Sequence, residues 1–287
     1  MRHVTFLRPN LGFGTPHDAM APLVFAILKG LTPDRFDTHL IDERVEPFVP
    51  VETDLVAITV ETFTARRAYE LADWYRARGV TVVMGGHHPS MCPDEAAAHA
   101  DAVVVGDAEG VWGALLEDAQ AGRLKPRYTG GMGLVEGRPL KLDRRVWAGR
   151  AYAPVELVQA GRGCRFACDF CSIHAFYGTT RAMRPPEEVA AEIAALPGRG
   201  MIFFTDDNLY WTRDTFLALM AALAPLGRRW SCQITIDMAR DDDLMAEMAR
   251  AGCALVLIGF ESLDSGNMRQ MRKNWSHVGG AYQDVIA

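Results

Sequence analysis

The run Val155-Glu-Leu-Val-Gln159-Ala-Gly161-Arg-Gly163-Cys164-Arg-Phe-Ala-Cys168-Asp-Phe170-Cys171 joins an apolar stretch, a glycine-punctuated turn and three cysteines. It reads as a strand over residues 155–159 that empties into a loop carrying three thiols. Thiolates are the usual ligands of iron–sulfur clusters, and close spacing lets one loop wrap one cubane. Three thiolates on a four-iron cluster leave one iron open to a small molecule. Cys171-x2-His174 offers a competing reading, a Cys3His zinc site. A closed zinc site usually spreads its ligands as two separated pairs, and this loop has no second pair.

Outward from that run, apolar stretches at 201–205, 232–236 and 255–260 alternate with helical patterns near 186–196, 213–223 and 242–251. This is a βα series that places the cysteine loop after its first strand. Four such units leave an open sheet edge. The chain stops at Asp284-Val-Ile-Ala287 inside a helical pattern, which reads as a fragment rather than as a sheet completed by another chain. Upstream, strands at 4–7, 39–41, 55–60, 80–84 and 102–105 alternate with helices near 19–31, 65–78 and 111–121. Continuous Val, Ile, Leu and Met runs between helices indicate a parallel sheet covered on both faces. The fold class is therefore α/β: a doubly wound, Rossmann-like domain over 1–125, a linker over 126–152 with a hairpin near Gly137, and a partial TIM-type barrel over 153–287.

Composition narrows the function. A chain of 287 residues with 49% hydrophobic and 23% charged residues builds a real core in two domains. A formal charge of −6 argues against nucleic acid as the main partner. No apolar run reaches the ~20 residues that cross a bilayer, and Pro9 and Asn10 cut short any signal-peptide core, so the expected location is the cytoplasm. Cys92, Cys232 and Cys253 are scattered, so the cysteines do not form a secreted disulfide framework.

The spacing Cys164-x3-Cys168-x2-Cys171, with aromatic Phe170 before the last cysteine, resembles the signature of the radical S-adenosylmethionine (SAM) superfamily. The resemblance implies a [4Fe–4S] cluster on Cys164, Cys168 and Cys171 whose open iron chelates SAM, with Phe170 near the adenine. It places Thr205, Asp206 and Asp207, at the end of the second strand, where the family contacts the amino group of SAM. The usual Gly-Gly-Glu is replaced here by Thr-Asp-Asp-Asn, as in the cobalamin-associated branch. The two aspartates could equally cap the next helix. Glu261 and Ser262 in Ile258-Gly-Phe-Glu-Ser262 match positions that bind the ribose or carboxylate of SAM, and Gln233 on the third strand is a further candidate.

The first domain resembles the cobalamin-binding domain of that branch in three places: the loop Pro9-Asn10-Leu-Gly12-Phe-Gly-Thr-Pro16, the run Gly85-Gly86-His87-His88-Pro89, and Gly106-Asp-Ala-Glu109. Asn10, Gly12, Thr59, Gly85, Gly86, His88, Gly106 and Glu109 are the cobalamin-binding candidates. The Asp-x-His-x-x-Gly that supplies a lower cobalt ligand is missing; Asp37-Thr-His39 lies on a strand and matches by chance, and His17 lacks the pattern. The resemblance then implies cobalamin bound without that histidine, or a fold retained with no cobalamin. The expected activity is reductive cleavage of SAM followed by methyl transfer to an unactivated carbon. A cyclase or rearrangement reaction is the alternative, and a non-enzymatic iron–sulfur or zinc protein is the competing class. The expected partners are a small-molecule or lipid substrate and an electron donor such as flavodoxin or ferredoxin.

Overall fold

The computed structural model describes residues 1–11, 19–134, 139–198 and 200–277. Two compact units divide the chain, one formed by 1–133 with 140–153 and the other by 134–139 with 154–287.

The first unit is a six-stranded parallel sheet in the order β2-β1-β3-β4-β5-β6. Its elements in chain order are β1 (His3–Arg8), α1 (Leu23–Leu31), β2 (Asp37–Asp42), β3 (Leu55–Thr59), α2 (Ala65–Arg76), β4 (Thr81–Gly85), α3 (His87–Met91), α4 (Pro93–Ala97), β5 (Ala102–Val105), α5 (Trp112–Gln120) and β6 (Arg127–Thr129). Strands β1, β3, β4 and β5 are buried on both faces because each lies between helical layers. Phe6, Phe25 and Trp112 fill one face of the sheet, and Val56, Leu71 and Tyr75 fill the other. The order reverses between β1 and β3, so the ligand crevice of this topology opens at the carboxyl ends of those strands.

Two expectations change here. Part of the segment read as linker is sheet: Arg127-Tyr128-Thr129 pairs with β5, and the buried Tyr128 hydroxyl donates to Asp118 at 2.9 Å. Three residues are too few to show a period. Residues 140–153 lie along the edge strand β2, where Arg150 pairs with Glu46 at 2.9 Å and donates to the Leu40 carbonyl, while Tyr152 donates to Asp42 at 2.8 Å. That cover occupies an edge that would otherwise be open to pairing. The expected hairpin at Gly137 lies outside the described residues.

The second unit is a four-stranded parallel sheet in the order β12-β11-β10-β7, which winds in one direction as a barrel does. It runs β7 (Val155–Val158), β8 (Gly161–Arg162), α6 (Ser172–Tyr177), β9 (Ala182–Met183), α7 (Pro186–Ala195), β10 (Met201–Phe204), α8 (Arg213–Leu223), β11 (Trp230–Ile234), α9 (Ile236–Ala239), α10 (Asp242–Arg250), β12 (Cys253–Ile258) and α11 (Ser265–Gln270). Ile202, Phe204, Phe216, Leu219 and Trp230 form its core, each essentially without solvent exposure. Burying a side chain of this size contributes about 1.5–3 kcal/mol, and these residues fix the carboxyl ends of β7, β10 and β11, from which the cysteine loop and its neighbours project.

Candidate cluster site on the cysteine loop

The loop begins where β7 ends. Gly161-Arg162 forms a two-residue antiparallel ladder with Ala182-Met183, which closes the loop at its base. Buried Arg184 pins the same base, donating to the Gln159 carbonyl at 2.8 Å and to Glu192 at 2.6 Å. Gly163 sits at φ +84°, and a Cβ there would meet the Thr180 carbonyl oxygen at 2.5 Å. Only glycine suits that position.

The run after β10 holds the loop from the other side. Asp206 is buried, and its carboxylate accepts from the Ala160 N–H at 2.9 Å, with the Gly161 N–H adding to it. Asp207 accepts from the Gly163 N–H at 3.1 Å. Asn208 points its amide Nδ2 at Cys164 Sγ, 3.9 Å away, and at Thr235 Oγ1, 3.4 Å away. Three successive side chains thus engage successive parts of the segment leading into the first cysteine. Burial raises the Asp206 carboxyl to about 7, against the backbone N–H groups that lower it.

Neither aspartate caps the helix that follows. Thr212 caps α8, its side chain accepting from the Thr215 N–H. The Thr205 N–H is taken up by the Val158 carbonyl at 2.8 Å, and Gln233 lies on the same side, its Nε2 3.5 Å from the Asp206 carbonyl.

Cys168 is buried, and Cys164 and Cys171 are partly exposed. Burial pushes the Cys168 thiol up, the nearby Lys273 ammonium pulls it down, and Cys171 and Cys164 oppose a third negative charge. One tetrahedral zinc, with Zn–S bonds of ~2.3 Å, would draw thiolates to within about 4 Å of one another. Among the described residues, the three-donor set that closes to within 4.8 Å lies elsewhere, at His88, Cys92 and Glu95. His174 is turned to the end of its own helix, with Nδ1 3.1 Å from the Gly178 carbonyl. Three thiols spread on one pinned loop suit a cubane, whose ligands sit on separate irons, better than a single ion.

Across from the loop, Lys273 is buried and donates to Glu261 Oε1 and to the Gly259 carbonyl, both at 2.8 Å, with its ammonium 5.8 Å from the Phe170 ring. Phe170 is half exposed, and Glu261 holds a left-handed φ of 61°. A non-glycine residue in that region costs about 1–2 kcal/mol, which Lys273 offsets by fixing the carboxylate. The structure therefore groups Phe170 with Glu261 through a lysine that carries no sequence signal. Ser262 serves its own turn, accepting from the Asp264 N–H at 3.1 Å. Asn208 also escaped the reading of the sequence, although it continues the acidic run at the end of the strand.

In the first unit, Thr59, Gly85, Gly86, Gly106 and Glu109 stand at or just after the carboxyl ends of β3, β4 and β5. Gly86, at φ +111°, has the Val60 carbonyl oxygen 2.8 Å from where a Cβ would sit, so its backbone presses against the neighbouring strand end. Gly106, at φ +81°, is held the same way, with the Gly130 carbonyl oxygen 2.8 Å from where its Cβ would sit. Asn10 is tied to Glu43, its N–H donating at 3.0 Å, while Gly12 and His17 lie outside the described residues. His88 does not face the crevice: it is buried, with Nε2 2.8 Å from the Tyr69 hydroxyl of α2.

No helix among the described residues is long and apolar enough to cross a membrane. Residues 158–286 match the model of the Radical SAM superfamily, and residues 16–116 match that of the B12 binding domain. The bacteriochlorophyllide d C-12(1)-methyltransferase of Chlorobaculum tepidum is 31% identical over 93% of the chain and 61% of its own length. The C-8(2)-methyltransferase of the same organism is 30% identical over 92% and 62%. The chain thus spans about three fifths of the length of these curated relatives. The radical SAM methyltransferase TsrM from Kitasatospora setae, solved with cobalamin and a [4Fe–4S] cluster, superposes with a TM-score of 0.74 at 18% identity, over 98% of this chain and 62% of that one. The cobalamin-dependent enzyme OxsB gives 0.73 at 14% identity, over 100% and 47%. The chain belongs to the radical SAM superfamily through residues 158–286 and joins to that domain a B12-binding domain at residues 16–116.

Proposed function

We propose that the protein is a cobalamin-dependent radical SAM methyltransferase that methylates an unactivated carbon of a chlorophyll-type tetrapyrrole. The observation that carries this reading is the union of a pinned three-cysteine loop with a B12-type domain, in a chain whose relatives at 30–31% identity are both bacteriochlorophyllide methyltransferases. When bound, the cluster and SAM supply one-electron cleavage of a C–S bond, and cobalamin supplies a transferable methyl group.

This chain's residues bind and orient. Cys164, Cys168 and Cys171 would hold the cluster, and the Asp206–Asn208 run fixes the approach of the first ligand. Lys273 and Glu261 present one positive and one negative group beside Phe170, suited to the charged ends and hydroxyls of SAM. Gly85, Gly86 and Gly106 form tight turns at the strand ends that would border the macrocycle. The electron comes from a low-potential carrier of the flavodoxin or ferredoxin class.

The test is anaerobic turnover of the cobalamin-loaded, cluster-loaded chain with SAM labelled in its methyl group and a bacteriochlorophyllide as acceptor. Label in the tetrapyrrole, with S-adenosylhomocysteine and 5′-deoxyadenosine formed, supports the reading. A second reading follows from the 27% identity, over 77% of the chain, to the anaerobic magnesium-protoporphyrin IX monomethyl ester cyclase of Rubrivivax gelatinosus. Formation of 5′-deoxyadenosine with no label transferred favours that reaction over methylation.

A further inference from the structure

The geometry points to a second metal site in the first unit, in which His88, Cys92 and Glu95 bind one divalent cation of the zinc type. An imidazole nitrogen of His88, Sγ of Cys92 and a carboxylate oxygen of Glu95 all lie within 4.8 Å of one another. His88 Nε2 is 3.5 Å from Glu95 Oε1. Bonds of ~2.0–2.3 Å in a tetrahedron put donors roughly 3.3–3.8 Å apart, so that pair is already at the right separation and the thiol needs only a small approach.

The local chain explains the convergence. Cys92 follows the last residue of α3, and its N–H donates to the His88 carbonyl at 2.8 Å, which sets it one turn beyond His88. Cys92 is also the residue before Pro93, where α4 begins, and Glu95 lies in the first turn of α4. The bend between the two short helices therefore aims all three donors at one point. Tyr69 reaches that point from α2: its hydroxyl is 2.8 Å from His88 Nε2 and donates to Glu95 Oε1 at 3.0 Å. Tyr69 is itself held by His99, stacked at 4.2 Å between ring centroids, whose Nδ1 is 3.0 Å from Asp73.

The donor set selects the ion. One nitrogen, one thiolate and one carboxylate suit a borderline-soft cation with a water or phenol oxygen as fourth ligand, whereas magnesium and calcium take oxygen ligands. Entry is open, because the exposed Glu95 and the partly buried Tyr69 line a cleft of about 430 Å³ shared with Glu70, Asp73 and His99. Arg66, the cationic side chain on that cleft, is paired with Glu70 at 3.6 Å. A hydrogen-bonded His–Tyr–Glu trio has no need of the thiol, and a metal site does. Occupied, the site ties α2 to the helices that follow the Gly85-Gly86 turn, and so steadies one wall of the crevice.

The test is a Co²⁺ titration of the full chain carrying Cys164→Ala, Cys168→Ala and Cys171→Ala, which removes the other clustered thiols. The expected result is one equivalent of Co²⁺ with a thiolate-to-cobalt absorption band in the near ultraviolet, displaced by Zn²⁺. Adding Cys92→Ser abolishes the band. Adding Glu95→Gln, on the exposed rim, weakens binding by at least about tenfold, the loss seen when even outer-shell partners are removed. If the triple variant does not fold, the cluster-loaded parent chain serves: one zinc beyond its iron, lost in Cys92→Ser with the circular dichroism unchanged. No band and no zinc, or a band that survives Cys92→Ser, overturns the site.

Discussion

Asn208 reaches one of the three cysteines directly. Its Nδ2 donates toward Cys164 Sγ from 3.9 Å, and hydrogen bonds to cluster sulfurs are one of the terms that set a cluster's potential. Asn208→Asp exchanges the donor for a negative charge. The midpoint of the reconstituted cluster, followed by electron paramagnetic resonance, is expected to move to more negative values at unchanged iron content. An unmoved midpoint would separate Asn208 from the cluster. Asp206 carries a different expectation. An unfolded aspartate titrates near 3.9, and burial raises this one to about 7. Between those values the folded protein holds a proton that the unfolded chain has lost, so this residue's contribution to stability falls as pH rises through that window. Asp206→Asn removes the dependence, and its deficit in melting temperature is expected to shrink from about pH 5 to about pH 7.5. A deficit that widens with pH contradicts the assignment.

At the scale of elements, glycines separate positions the fold demands from positions it merely tolerates. Gly163→Ala forces a left-handed φ on a residue whose Cβ would meet the Thr180 oxygen at 2.5 Å. It is expected to lower stability by about 1–3 kcal/mol and to reduce iron loading with it. Gly113 lies in helix α5 with nothing within 4 Å of a Cβ, so Gly113→Ala is expected to stabilise by about 0.5–1 kcal/mol. Denaturant midpoints check both signs. The same scale shows what the sequence disclosed. The strands of both sheets other than the three-residue β6 were legible, the central ones because a parallel strand buried on two faces reads as an unbroken apolar run. The helix over Arg213–Leu223 was legible because its apolar residues recur at the helical period. The helices α3 and α4 were not, since five residues each, with Pro89 and Pro93, display no period. At the site, the cysteines declared themselves by spacing alone. Lys273 reaches Glu261 across 12 positions through a turn that the sequence does not mark, and the aspartates proved to hold the loop's backbone rather than cap a helix.

At the scale of the molecule, the second sheet presents an apolar edge. Among the described residues β12 has β11 on one side and no strand on the other, and Leu255 and Leu257 are 58% and 44% exposed. Such an edge promotes self-association. Leu255→Lys is expected to reduce association measured by sedimentation while leaving the unfolding free energy within about 0.5 kcal/mol of the parent. A large loss of stability would mean that this face is packed in solution. The central claim concerns the cysteine loop, and anaerobic reconstitution with iron and sulfide, followed by reduction in the presence of SAM, addresses it most directly. Iron near four per chain with 5′-deoxyadenosine released, both lost in Cys164→Ala, is the expected result. Full iron loading in Cys164→Ala, or a loop that takes up zinc alone, would contradict the account.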